Sequence, residues 1–127
     1  KILLSESTDM KTVSLFLDNP QLELRVQVAD NFLQRLRGLM LRSPASLPLG
    51  TGLLIAPCNS IHMMFMRFAI DVVYLAEDYT VVKVARNIRP WIGISACLKR
   101  GTWAVLELPS GSVDYYGIAV GSRFLQK

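Results

Sequence analysis

A single histidine, two cysteines and a charged fraction of only 19% leave this 127-residue sequence short of the side chains that most often advertise chemistry. Two cysteines cannot staple a disulfide-dense miniprotein. Eight glycines and six prolines are ordinary counts, which excludes collagen-like and low-complexity chains. The net charge of +4 comes without a lysine block, resting mostly on nine scattered arginines, of which Arg35, Arg37 and Arg42 form the densest group. A phosphate-tracking surface needs clustered basic residues interleaved with aromatics, so no nucleic-acid partner is expected. The longest stretch without a formal charge, residues 43–66, is broken by Pro44, Pro48, Gly50, Gly52, Pro57 and Asn59 and is not a transmembrane segment. Also missing are a glycine-rich phosphate loop, a nucleophile elbow, an HExxH helix and two carboxylates within one short motif.

What is present is apolar: 51% of residues are hydrophobic, enough for one globular core and too much for disorder. A single soluble β-rich domain is expected over residues 12–127. Residues 1–11 read as a flexible N-terminal segment or a remnant ahead of the native start. No export signal shows in residues 1–9, which points toward the cytoplasm and leaves the compartment itself open.

Val13, Leu15 and Leu17 recur with period two, and Asn19-Pro20 punctuates them. Leu22, Leu24, Val26 and Val28 then alternate strictly with polar residues, giving a hairpin of half-buried strands. Asp30 is placed as an N-cap ahead of Phe32, Leu33, Leu36, Leu39 and Met40 at helical spacing, predicting one short helix over 31–42 that stops before Pro44. Gly38 inside that helix marks close packing. Residues 43–60 read as a loop with a short apolar insert, Leu53-Leu54-Ile55. Residues 70–75 and 81–84 flank Glu77-Asp78-Tyr79-Thr80 as a second hairpin, and residues 86–96 read as a long connection. Strands follow at 102–108 and 118–124, with a turn at Pro109-Ser110-Gly111. The expected fold is mainly β, α+β at most: a compact small barrel or folded-over sheet of about five to eight mostly antiparallel strands with one short helix.

The segment from Cys58 to Met66 gathers a cysteine, the histidine and three of the five methionines into nine residues. The plain reading is adaptable core filling. Three sharper readings stand beside it. Cys58 as nucleophile needs His62 as base and Asp71 to orient it. Residues four apart on an extended strand stand about 13 Å apart, so Cys58 and His62 meet only if the chain turns there, as Pro57 and Asn59-Ser60 allow. A soft-metal site for Cu(I) draws on His62, Met64 and Met66, which share a face if 60–68 is extended, with Cys58 and Cys97 as thiolates; zinc has too few good ligands. A Cys58–Cys97 disulfide closes a loop of about 40 residues and needs an oxidising compartment, so two free thiols are the expectation. Asp71 and Glu107 lie in apolar strand sequence, where a carboxylate needs a partner, and Arg37, Arg67 and Arg100 are the arginines available.

Taken in order, Arg37-Gly38-Leu39-Met40, Gly52-Leu53-Leu54, Cys58-Asn59-Ser60-Ile61-His62, Met66-Arg67-Phe68, Ile70-Asp71-Val72-Val73-Tyr74-Leu75 and Val105-Leu106-Glu107-Leu108-Pro109-Ser110-Gly111 resemble the small bacterial and archaeal domain-of-unknown-function family 192 over about residues 22–124. The resemblance implies a compact mainly β domain with no assigned reaction or cofactor. It lies with the branch carrying Cys and His in the central segment; another branch has Trp-Met-Lys-Asn there. Arg37, Gly38, Met66, Asp71, Glu107 and Gly111 match positions typical of the family. Tyr79 stands where the family's hairpin usually places glycine, and Ser122 where an acidic residue commonly follows the last glycine.

These readings converge on a non-enzymatic binding or accessory domain whose cleft is lined by Arg37, Cys58, His62, Met66, Asp71 and Glu107. Its partner would be a small ligand or a protein, and Trp91 and Trp103 are candidates for an interaction patch. No cofactor is expected. The alternatives are a thiol-dependent hydrolase or transferase using Cys58, His62 and Asp71, and Cu(I) binding by Cys58, His62, Met64, Met66 and Cys97.

Overall fold

The computed structural model describes residues 10–17, 23–31, 34, 35, 38, 39 and 42–126. Nine strands are described: β1 (Lys11–Leu17), β2 (Glu23–Ala29), β3 (Thr51–Ile55), β4 (Ser60–His62), β5 (Ile70–Ala76), β6 (Val81–Ile88), β7 (Ile94–Ala96), β8 (Thr102–Pro109) and β9 (Phe124–Gln126). Seven form one sheet in the order β6-β5-β8-β3-β2-β1-β9, while β4 and β7 make a separate antiparallel ribbon. The two end strands of the large sheet are joined: Thr80 bridges Arg123, Val81 N–H donates to Ser122 O and Phe124 N–H to Tyr79 O. The sheet thus curls round and closes at that end, the mainly β, barrel-like architecture expected from the strand pattern.

All pairings in the large sheet are antiparallel except β2 with β3, which run parallel with Val26 opposite Gly52 and Ala29 opposite Ile55. A parallel pair needs a long crossover, and residues 30–50 supply it. β3 corrects the reading of 43–60 as a loop. It is a central strand, buried from Gly52 to Ile55, so it has no polar face to alternate with its apolar one. Gly52 lets it approach β8: a Cβ there would lie 2.7 Å from Leu108 Cδ2 and 3.1 Å from Glu107 O.

Inside the crossover, Gln34 and Arg35 are helical, with Arg35 N–H donating to Asn31 O. The cap is Asn31, not Asp30: Asn31 Oδ1 accepts from Gln34 N–H at 2.9 Å, while Asp30 N–H donates to Gln34 Oε1. Gly38 is left-handed at φ +48 and donates its N–H to Gln34 O, a C-terminal stop rather than a helix-interior glycine. The expected run to residue 42 is therefore shorter, and Phe32, Leu33, Leu36, Arg37 and Met40 lie outside the described residues.

A second helix, α1 (Ser112–Tyr116), stands where only a turn was expected, and β9 begins at Phe124 instead of residue 118. Five residues leave no room for a helical period to show. The connection at 86–96 likewise shortens, because β6 runs to Ile88 and β7 starts at Ile94. At the β5–β6 turn, Tyr79 is left-handed at φ +68, a conformation glycine adopts freely. Its ring packs 5.7 Å from that of Trp103 and its hydroxyl donates to Gln126 Oε1.

The alternation of β5 and β8 separates two cores. Leu15, Leu24, Val26, Leu54, Val73, Leu75, Leu106 and Phe124 fill the inside of the curl. Leu53, Ile55, Val72, Tyr74 and Val105 face the other way and are covered by Leu39, Leu47, Ile61, Met63 and Met66. Asp71 closes one end of the inner core. Its Oδ1 accepts from Asn87 N–H at 2.9 Å, and its Oδ2 from Gly111 and Val113 N–H at 3.1 and 2.9 Å, holding the start of α1 against β5.

Gly52→Ala should lower stability by about 1–3 kcal/mol through overpacking. Asp71→Ala, which strips three N–H groups of their acceptor, should cost about 3 kcal/mol or more. Urea unfolding followed by circular dichroism checks both; an unchanged Gly52→Ala midpoint would show that β3 and β8 can separate at no cost.

Candidate functional site

The outer core is incompletely covered. Between β8, the end of β3, the helical turn and β4 lies a cavity of about 160 Å³ with Leu39, Ile55, Ile61 and Met66 as apolar walls and Arg35, Cys58, His62 and Glu107 as polar ones. Register explains why Glu107 is there. It pairs with Leu53 and Val72, both members of the outer core, so its side chain shares their face. Its Oε1 is buried and has no hydrogen-bond partner among the described residues. Burial pushes the Glu107 carboxyl up to about 7, partly opposed by the Arg42 guanidinium. Near neutral pH such a group is part acid and part carboxylate, able both to donate and to accept.

Cys58 reaches the cavity because the chain turns at the end of β3, through a cis Ala56–Pro57 bond, before entering β4. Its N–H donates to Trp103 O at 2.9 Å and its thiol to Ser60 O at 3.1 Å. Burial raises the Cys58 thiol above its ordinary value, which keeps it protonated at neutral pH. Cys97 is buried on the neighbouring strand end, with its sulfur 3.2 Å from Thr102 Oγ1 and its N–H on Asn59 O. Both thiols are free. Tyr74, beneath them, donates to Ser95 Oγ at 2.7 Å, and burial pushes its phenol up to about 12.

Of the residues singled out from the sequence, Cys58, His62, Met66 and Glu107 line this cavity together. Asp71 does not. It lies on the opposite face of β5, and the three backbone N–H groups on its carboxylate replace the arginine partner expected for it. Arg67 and Arg100 are exposed, and Arg37 lies outside the described residues. The conditional strand over 60–68 ends at His62: Met64 and Phe65 form a turn, with Met66 N–H on Met63 O. Met64 is consequently exposed while Met66 is buried, so His62, Met64 and Met66 share no face. Among the described residues no three His, Cys, Asp or Glu side chains gather around a point that could hold a metal ion.

Arg35 and Leu39 were missed as lining residues. In the sequence Arg35 stands out only as one of a group of arginines, and only the crossover, which lays its helical turn over the end of β3, brings it to the cavity. Trp91 is exposed, whereas Trp103 is half-buried against the inner core beside Tyr79. No helix among the described residues is long and apolar enough to cross a membrane.

Residues 15–125 match the family described as "Uncharacterized ACR", the domain-of-unknown-function family 192. A UPF0127 protein of Thermococcus sibiricus is 37% identical over 104 residues, 78% of this chain, which spans 64% of that protein's length. A UPF0127 protein of Pyrococcus furiosus is 34% identical over 81% of this chain and 87% of its own. Among solved structures, a protein of unknown function from Novosphingobium aromaticivorans superposes with a TM-score of 0.78 at 21% identity, over 91% of this chain and 84% of that one. A protein from Sinorhizobium meliloti described as a putative transcription regulator superposes at 0.79 and 25% identity, over 93% and 94%. The ordered motifs, the curled sheet and this match over nearly the whole domain agree: the chain belongs to the uncharacterised domain-of-unknown-function family 192.

Proposed function

We propose that the chain is a small-ligand binding domain that performs no chemistry on what it binds. The observation that carries this reading is the buried Oε1 of Glu107, without a hydrogen-bond partner among the described residues, in the wall of a cavity lined by both apolar and polar side chains. A buried polar atom left unsatisfied costs free energy, and a ligand supplying a donor there would recover it. At about 160 Å³ the cavity suits a molecule of roughly the size of benzene. The ligand class that fits is a compact apolar amine or amide: its nitrogen faces Glu107 and its body rests on Leu39, Ile55, Ile61 and Met66. His62 and Arg35 stand among the lining residues as polar contacts for a second substituent.

Cys58 argues against the catalytic alternative. A nucleophilic thiol is depressed in pKa, and this one is raised. Asp71, the orienting carboxylate that a triad would need, is engaged elsewhere.

Small aliphatic and aromatic amines should raise the melting temperature of the protein and of Asp114→Asn, but not of Glu107→Gln. The effect of an amine should be greater at pH 8 than at pH 6, because the cation pairs with the ionised form of Glu107. Thermal shift across that pair of pH values tests this, and a shift preserved in Glu107→Gln would sink the reading.

Without ligand, Glu107 also sets a pH dependence. Its folded pKa of about 7 lies above its ordinary 4.5, so the native state holds the proton more tightly. Stability is then full below about 4.5 and declines as pH rises to about 7, on the order of 3 kcal/mol in all. Glu107→Gln should flatten that decline in urea titrations.

For the thiol, Cys97→Ala isolates Cys58. Its alkylation by iodoacetamide at neutral pH should be slower than that of free cysteine and should speed up in urea. A rate above that of free cysteine would restore the nucleophile.

A further inference from the structure

We propose that the outward face of the β4–β7 ribbon, with the two turns at its end, docks onto an anionic lipid surface. His62 pairs with Ile94 and Ser60 with Ala96, and all four residues are exposed, so this face of the ribbon is uncovered. Ile94 is 77% exposed, Ile92 75% and Leu98 89%. At the ribbon's end the turn carrying Phe65 and the turn carrying Trp91 are tied together: Met63 N–H donates to Gly93 O and Trp91 N–H to Met63 O, at 2.9 and 2.7 Å. The two rings meet edge to face at 5.3 Å, and both remain substantially exposed.

The backbone is shaped for this display. Phe65 and Trp91 are left-handed, at φ +64 and +70, which bulky residues seldom adopt. Gly93 lets the second turn fold back, since a Cβ there would stand 2.5 Å from Ile88 Cγ2 and 2.6 Å from Arg89 O. The hydrogen bonds between the two turns hold both aromatic tips in this conformation.

Charge selects the occupant. No Asp or Glu occurs at 31–70 or at 79–106, yet these stretches hold nine of the fourteen lysines and arginines, with Arg67, Arg89, Lys99 and Arg100 beside the apolar positions. A second copy would set like charges against each other. A nucleic acid would stack on Phe65 and Trp91 but find nothing in Ile92, Ile94 and Leu98. A bilayer surface accommodates every part: aliphatic side chains below the headgroups, tryptophan at their level, and arginine and lysine against anionic lipid.

Vesicle sedimentation tests the proposal, with phosphatidylcholine alone and with phosphatidylglycerol added. Trp103→Phe leaves Trp91 as the reporter. The protein should sediment with the anionic vesicles and not the neutral ones, Trp91 emission should shift to the blue, and salt should weaken both effects. Ile92→Ser with Ile94→Ser should reduce binding at least about tenfold, and Arg67→Glu with Arg89→Glu should abolish the preference for anionic lipid; thermal melts confirm that these surface variants remain folded. No sedimentation with an unmoved Trp91 spectrum, equal binding to neutral vesicles, or full binding by the serine pair would each overturn the proposal. So would capture by polyglutamate or duplex DNA without binding to vesicles.

Discussion

Strands β3, β5 and β8 are buried on both faces, and each face of the sheet therefore needs cover. Curling the sheet hides one face. The other is covered by what connects the strands: the crossover between β2 and β3 lays Leu39 and Leu47 over it, and the excursion between β3 and β5 adds Ile61, Met63 and Met66. Connections pack less completely than strands, so a void between them is the expected by-product. The cavity beside Glu107 sits at that seam.

The two buried carboxylates, Asp71 and Glu107, differ by the face they occupy. Asp71 lies where the chain leaves β8 for α1, and three backbone N–H groups converge on it. Such a carboxylate is a structural pin: its charge is spent on organising the barrel end. Glu107 lies mid-strand on the outer face, where neighbouring N–H groups are committed to the sheet and only side chains can reach it. One carboxylate is held by backbone N–H groups, and the other is buried beside the cavity.

How much of this was legible in the sequence follows from which faces meet water. β2 announced itself because Glu23 and Arg25 face solvent between Leu24 and Val26. β3 did not, because a strand covered on both sides has no contrast to display, and Leu53-Leu54-Ile55 reads equally well as an insert. The helix at 112–116 was hidden by its length. In the Cys58–Met66 segment, Cys58, His62 and Met66 share a wall of the cavity. Their arrangement was not legible, because the turn at Met64 and Phe65 depends on hydrogen bonds to Gly93 and Trp91, about thirty residues away. Glu107 stood out as a charge in an apolar run. That its Oε1 finds no partner among the described residues is a property of the packing.

The closure between Thr80 and Arg123 bears on how such a chain is made. β9 pairs with β1, setting Leu15 against Gln126 and Leu17 against Phe124, contacts that span most of the sequence. Until β9 has emerged from the ribosome, β1 and β6 present open hydrogen-bonding edges, the form of strand most prone to recruit another chain. A nascent chain of this fold keeps those edges unprotected until β9 is made, in the condition that chaperones bind.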